Sequence, residues 1–257
     1  MSIFKKALAS VGVGAAKLDT VLKKSDYLPG EQIEGEINIT GGNVAQNIDA
    51  IYVRLYTQYE IERDDKKESQ TALIGEFLAA GAFTIEAKEK KVIPFSSVLP
   101  YDIPFTIGRT KVWISTGLDI KQAIDPNDVD HINIVPSPFT RGVFHAFEEL
   151  GFHMKSGGCK EAGRAHRMRL PFVQEFEFVP VSGSFRGKLD EVELVILTAT
   201  ENELDVMLQI DRKQRGLSGL FAEALDMDES YVSLRIHKQE LADLKGNLYH
   251  LINKYAG

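Results

Sequence analysis

Four aspartates form a group of side chains that could bind a metal or hold two domains together. Asp119, Asp125, Asp128 and Asp130 lie within a span of 12 residues, and carboxylate oxygens are ligands that Ca²⁺ prefers. The span lacks the central glycine and the closing glutamate of a helix–loop–helix calcium site. A solvated turn is the alternative interpretation. In a third, one carboxylate pairs with an arginine across a hinge, and breaking that pair would let two domains open.

The hinge hypothesis also involves the prolines that follow. Pro136 and Pro138 are separated by one residue, and prolines this close together stiffen the chain. We therefore place a domain boundary here. Asp125, Asp128 and Asp130 lie on its N-terminal side and complete the set of candidate hinge residues.

Residue types that support catalysis are present, but their spacing fits none of the common site patterns. The six histidines are scattered, and none stands in the pattern of a zinc site. Cys159 has a lysine beside it, which can lower the pKa of a thiol, but no acid or amide is placed to orient a catalytic histidine. The glycines at 157–158 and 183–187 do not precede the lysine–serine or lysine–threonine pair of a nucleotide loop. We predict no catalytic residue, no metal and no cofactor.

One basic stretch interrupts an otherwise acidic chain. It comprises Lys160, Arg164, Arg167 and Arg169. Positive charge in an acidic protein suits an acidic protein partner or an anionic lipid surface. The alternative is a solvated loop, since runs of charge usually face water.

Composition limits the classes of partner and the compartment. A chain of 257 residues with a formal charge of −7 is poorly suited to nucleic acid, because phosphate binding requires a basic surface. The single cysteine cannot form an intrachain disulfide, which fits a reducing compartment. No stretch reaches the roughly 20 apolar residues of a transmembrane helix. Residues 1–17 resemble a signal peptide only superficially, because their apolar core is short and rich in glycine. We expect a cytoplasmic protein.

The elements that must position these residues are mostly strands. Strand-like patterns are found at residues 17–22, 32–40, 51–61, 172–180, 191–197, 204–210 and 231–236. Residues 92–106 contain three prolines, so they predict a short strand that leaves its sheet at Pro100. Residues 63–70 are expected to form a polar hairpin tip or loop.

Three further segments do not follow the strand pattern. Residues 154–167 are rich in lysine, arginine and glycine and are expected to be irregular, whereas residues 139–152 fit either a strand or a helix. Residues 239–255 form an amphipathic helix with an apolar stripe. The stripe either covers the second domain or mediates self-association or partner binding, and it comprises Leu241, Leu244, Leu248, Leu251 and Tyr255.

Two motifs in the first half resemble a known fold. Residues 27–35 (YLPGEQIEG) resemble the strand–turn–strand signature of arrestin-fold proteins, and residues 93–106 (IPFSSVLPYDIPFT) resemble the second signature of that fold. The chain as a whole is similar to the bacterial branch of the fold, the sporulation-control proteins of stage-zero M type. That similarity is clearest at residues 113–120 (WISTGLDI), 134–136 (IVP) and 185–194 (FRGKLDEVEL).

The resemblance implies an all-β protein with two arrestin-like β-sandwich domains in tandem and a C-terminal amphipathic helix. The expected boundaries are 1–133 for the first domain, 134–238 for the second and 239–257 for the helix. It also implies a non-enzymatic, regulatory role in entry into sporulation, with other proteins of that pathway as partners. Self-association through the C-terminal helix is a further expectation.

Two other functions are compatible with the sequence. A membrane-peripheral trafficking adaptor would use an N-terminal helix carrying Phe4, Leu8 and Val11, with two lysines beside it. A carbohydrate-binding sandwich would need exposed aromatic rings on one sheet face, and Tyr52, Tyr56 and Trp113 could supply part of such a platform.

Overall fold

The computed structural model describes residues 15–63, 66–120, 127–163, 168–213 and 229–256. The predicted N-terminal helix with Phe4, Leu8 and Val11 lies outside these ranges, and so do three candidate site residues, Asp125, Arg164 and Arg167.

The chain is built mainly from strands, as predicted. They are β1 (Lys17–Leu22), β2 (Asp26–Tyr27), β3 (Gln32–Thr40), β4 (Gln46–Arg63), β5 (Lys66–Ala80), β6 (Phe83–Ile85), β7 (Lys90–Val98), β8 (Val112–Ile120), β9 (Asn127–Ile134), β10 (Phe152–Glu161), β11 (Phe172–Pro180), β12 (Leu189–Ala199), β13 (Glu203–Arg212) and β14 (Glu229–His237). The described helices are α1 (Pro138–Glu149) and α2 (Leu241–Tyr255), with 3₁₀ turns at Gly183–Phe185 and Lys238–Glu240.

The described residues divide into two compact units. Those within 1–58, 71–103 and 111–134 form unit 1, and those within 59–70, 104–110 and 135–257 form unit 2. The sequence did not indicate the two excursions, 59–70 and 104–110, in which the N-terminal half of the chain contributes to unit 2. The boundaries of 1–133, 134–238 and 239–257 stay a prediction.

Unit 1 contains two layers of strands. In the first sheet β3 lies between β1 and β7, and in the second β4 pairs with β5, β6 and β8, β8 with β9, and β9 with β2. Side chains alternate as predicted, so Ile33 and Ile37 of β3 and Ile51 of β4 are fully buried. Thr20 of β1 joins the two layers, because its hydroxyl donates to Thr116 Oγ1 of β8 over 2.9 Å.

The two motifs of unit 1 that carried the resemblance are joined by hydrogen bonds. The N–H of Gly30 donates to the carbonyl of Leu99 over 3.1 Å, and the N–H of Leu99 donates to the carbonyl of Glu31 over 2.9 Å. Gly30 has a φ of +76°, which strains any residue with a Cβ. β7 ends at Val98, before Pro100, as the proline pattern predicted.

Unit 2 is centred on an antiparallel sheet in the order β10, β11, β12, β13, β14. Residues 139–152, which fitted either a strand or a helix, form most of helix α1 and the start of β10. The helix begins after Ser137, whose hydroxyl accepts a hydrogen bond from the N–H of Thr140 over 3.1 Å, and Pro138 occupies its first turn. The buried rings of unit 2 include Phe105, Phe144, Phe147, Phe152, Phe176, Phe178 and Phe185.

One predicted irregular segment is a strand, and the predicted hairpin tip at residues 63–70 has strand at both of its ends. Strand β10 covers most of residues 154–167, because pairing with β11 along its length outweighs the low strand propensity of Gly157 and Gly158. Strands β4 and β5 extend into residues 63–70. In that hairpin Lys67 Nζ lies 3.0 Å from Glu60, so a charged tip is compatible with strand pairing.

A buried side-chain amide holds one excursion in unit 2. Gln174 of β11 accepts a hydrogen bond from the N–H of Phe105 over 2.8 Å and donates one to the carbonyl of the same residue over 2.7 Å. Phe105 lies in residues 104–110, which belong to no strand, so its N–H needs a partner from elsewhere. Its carbonyl also accepts a hydrogen bond from the N–H of Ile107 over 2.8 Å. The Phe105 ring then packs against Phe144 and Phe176 at centroid distances of 6.5 and 6.3 Å.

We expect Gln174→Leu to lower the free energy of unfolding by about 1–3 kcal/mol, because it leaves the N–H of Phe105 without a partner. The carbonyl of Phe105 loses one of its two hydrogen bonds and keeps the one from the N–H of Ile107. Gln209→Leu is the matched control, since Gln209 lies half-buried on the opposite face of the same sheet, and should cost less than about 1 kcal/mol. Urea unfolding measures both. Equal losses in the two variants would contradict this role of Gln174.

Candidate functional site

Strands β10, β11 and β12 collect charged side chains on the face of unit 2 that lies opposite the phenylalanine core. Alternation places Phe176 and Phe178 inward, so the residues between and beside them point outward. We call this set the charged face, and it consists of Lys155, Lys160, Glu175, Glu177, Glu191 and Glu193.

A β-bulge allows Lys155 to join the charged face. Met154 pairs with Phe178 and Ser156 with Glu177, so Lys155 is the extra residue of the bulge. Its ammonium group lies 3.2 Å from Glu177 and 3.3 Å from Glu191, and it therefore bridges two strands. The hydrogen bonds to these two carboxylates raise the pKa of Lys155. Burial is the largest influence on the pKa of Glu177 and would raise it. The hydrogen bonds from Lys155 and Ser156, together with the charges of the two lysines, lower that pKa overall.

The second lysine of the charged face binds the most deeply buried glutamate. Lys160 forms an ion pair with Glu175, which is only 8% exposed. Burial would lower the pKa of Lys160, yet the hydrogen bond and negative charge of Glu175 raise it. In the described part of the chain, Glu193 has no lysine or arginine partner of this kind.

Lys160 of the predicted basic stretch is not part of a free cationic patch. Lys160 is engaged by Glu175 within its own sheet. Arg169 is exposed shortly before β11, while Arg164 and Arg167 lie outside the described residues. A surface that attracts an acidic partner or an anionic lipid stays a prediction.

The candidate hinge aspartates of β9 point into unit 1. Asp128 and Asp130 share a face with the buried Ile132 and Ile134. Asp128 accepts a hydrogen bond from the N–H of Thr20 over 2.7 Å. Neither aspartate forms an ion pair with an arginine of the described residues.

The two prolines and Asp119 are not part of the contact between Asp128 and Thr20. Asp119 is exposed on β8, Pro136 is half-buried, and Pro138 serves as the first residue of α1. Asp125 lies outside the described residues. A hinge at these positions stays a prediction.

The surroundings of Asp130 in unit 1 disfavour its charged form. Its Oδ2 is buried and has no hydrogen-bond partner among the described residues. Burial raises the pKa of Asp130 to about 6, and the negative charge of Asp128 adds to the shift. The sequence pattern of β9 places Asp130 on the apolar face, which is the signal that identifies it.

We expect unit 1 to lose stability as the pH rises through about 6, because the folded state then loses a proton that the unfolded state has already released. Asp130→Asn mimics the protonated form and should remove this slope, and at pH 7 it should raise the free energy of unfolding by about 1 kcal/mol after allowance for solvent screening. Asp119→Asn is the exposed control. A wild-type slope retained in Asp130→Asn during urea unfolding from pH 4 to 8 would contradict the assignment.

The C-terminal helix α2 packs on its own unit. Leu244 and Leu248 are buried, and Gly142 of α1 leaves room for Leu241, since a Cβ at Gly142 would lie 3.0 Å from that leucine. Lys245 lies 3.4 Å from Glu149 of α1.

The remaining residues of the predicted stripe are less covered. Leu241, Leu251 and Tyr255 are half-buried, so self-association through this helix would have to use that part of the stripe. Such self-association stays a prediction.

We expect Leu248→Ala to lower the free energy of unfolding by about 2–5 kcal/mol, since Leu248 is fully buried. Leu251→Ala, three residues further along the same helix, should cost clearly less because Leu251 is half-buried. Urea unfolding of the two variants at equal protein concentration measures the difference. Similar small losses would show that α2 contributes little to the core.

The rings predicted as a carbohydrate platform are already engaged with neighbouring side chains. Tyr56 and Trp113 are nearly parallel, with centroids 5.9 Å apart, and are half-buried. The guanidinium of Arg54 lies 5.1 Å from the ring centroid of Tyr52. This geometry favours packing between strands over an open stacking surface.

Cys159 is placed as a structural thiol. It is 6% exposed, and its sulfur lies 3.8 Å from Thr110 Oγ1. In the described ranges no helix is both long and apolar enough to cross a membrane.

Known proteins resemble this chain over most or all of its length. The family model described as "SpoOM protein" matches residues 4–214. The chain is 42% identical over 259 residues to the "Sporulation-control protein spo0M" of Bacillus subtilis (strain 168), and the match covers 100% of both proteins. The crystal structure of Spo0M, a sporulation control protein from Bacillus subtilis, matches with a TM-score of 0.83 at 38% identity and covers 95% of this chain and 100% of that chain.

These matches confirm the predicted fold class, the arrestin-like β-sandwich, and the predicted bacterial branch. They also support a role in sporulation control. The chain belongs to the Spo0M family of sporulation-control proteins.

Proposed function

We propose that this protein is a non-enzymatic, cytoplasmic adaptor that regulates sporulation by binding other proteins of that pathway. The observation that carries the proposal is its similarity, over 100% of both chains, to a protein named for sporulation control. That name describes a regulatory outcome and no chemical reaction, so regulation through binding accounts for it without a catalytic step.

The chemistry of the described side chains supports binding over catalysis. Cys159 is buried, which keeps the thiol from acting as a nucleophile toward a large substrate. Five of the six residues of the charged face are joined to one another in ion pairs, which Lys155 and Lys160 form with three glutamates. Residues held in this way stabilise a sheet surface and present a fixed charge pattern to a partner.

The unit architecture offers a reason for the adaptor role. Each unit has its own core, in which Ile33 and Ile51 represent the first and Phe147 and Phe176 the second. Two independent cores can present two surfaces to different proteins. The half-buried part of α2 is the surface that we propose for self-association.

The experiment uses Bacillus subtilis cells that lack their own Spo0M and express this chain with an affinity tag. If the proposal is correct, the chain restores the spore count of the parent strain, and crosslinking at the onset of sporulation captures defined proteins that are absent from vegetative cells. Cells that lack Spo0M and express the tag alone serve as the control and should show neither. Restored spore counts without any captured protein would contradict the adaptor mechanism, and unchanged spore counts would contradict the role in sporulation.

A further inference from the structure

Glu193 stands out on the charged face because its neighbours supply negative charge and leave it without a cation. It lies directly opposite Glu177 in the antiparallel register of β11 and β12. Carboxylate oxygens of Glu175, Glu177 and Glu193 all lie within 4.8 Å of one another. Like charges directly opposite in a sheet repel each other.

The strands around Glu193 supply more negative than positive side chains. Strand β10 provides the two lysines, β11 provides Glu175 and Glu177, and β12 provides Glu191. Strand β13 places the neutral Gln209 opposite Glu193 and Asp211 opposite Glu191. Two ammonium groups therefore face four glutamates, and both ammonium groups are bound by the other three.

We propose that Glu175, Glu177 and Glu193 form a proton-binding cluster, a pH-sensitive switch in which Glu193 exchanges one proton and thereby sets the charge of this face of unit 2. A proton fits the cluster better than a divalent cation for a geometric reason. Lys155 and Lys160 already occupy the cationic positions beside Glu177 and Glu175, and a metal would have to displace them. A proton on Glu193 removes the repulsion without moving either lysine.

The surroundings favour this proton in the folded protein. Burial raises the pKa of Glu193 to about 7, and the negative charge of Glu175 adds to the shift, while Lys160 opposes it. The unfolded chain releases the same proton at an ordinary glutamate pKa. The stability that the proton provides is therefore fully present at acidic pH and is lost as the pH rises toward and through 7.

The direct test is a carbon-13 NMR titration of the glutamate carboxyl groups in the full chain. We expect one glutamate signal that titrates near pH 7, that disappears in Glu193→Gln and that remains in Glu191→Gln. Glu191 is the matched control because it lies two residues away on the same face and has Lys155 as its cation. If every glutamate signal of the wild-type protein titrates in the ordinary acidic range, the proposal is wrong.

A thermodynamic test separates the switch from a purely structural role. At pH 8 the folding equilibrium constant of Glu193→Gln should exceed that of the wild-type protein by about tenfold or more, and at pH 5 this advantage should be much smaller. Lys160→Gln should move the Glu193 titration to higher pH, since Lys160 opposes the shift. An advantage of Glu193→Gln that is equal at both pH values would overturn the proposal. So would tight calcium binding that Glu193→Gln abolishes, because the cluster would then be a metal site.

Discussion

The two hydrogen bonds between the Gln174 amide and the main chain of Phe105 are the constraint on which unit 2 depends. Residues 104–110 enter this unit without joining a strand, so no neighbouring ladder satisfies their polar groups. Glutamine offers one acceptor and two donors on a single planar group, which matches a main-chain N–H and carbonyl together. With the main chain of Phe105 bound to Gln174, its ring packs against Phe144 and Phe176 in the aromatic core.

Charge is organised differently in the two units. In unit 1, Asp128 and Asp130 point toward the core, and main-chain and hydroxyl contacts from Thr20 hold the neighbouring strands. In unit 2, the glutamates point outward and share two lysines. Burial is the largest influence on the pKa of Asp130 and on that of Glu193. On the sheet surface, lysines of a neighbouring strand can offset it, as they do for Glu177.

Sequence periodicity identified the strands of unit 1 closely because side chains in a half-buried strand alternate. The predicted residues 17–22 and 32–40 coincide with β1 and β3. Strand β10 was missed, since the glycines and lysines of that segment disfavour strands and only pairing with β11 makes it one.

The charged face could not be predicted for a related reason. Its members come from three strands, and the register that places Glu193 opposite Glu177 is not visible in the sequence. The bulge that turns Lys155 outward is likewise a property of pairing. The inward position of Asp130 could have been predicted, because the alternation of β9 is visible in the sequence.

Pro94 gives strand β7 a protective role. Among the described residues β7 pairs with β3 only, so it forms an edge of its sheet, and its Val92 and Val98 are 55% and 65% exposed. An apolar edge strand is a template on which further chains can aggregate. Pro94 lacks an N–H and interrupts the row of donors that such stacking requires. The proline that limits this strand's pairing therefore also disfavours fibril-like association of the folded protein.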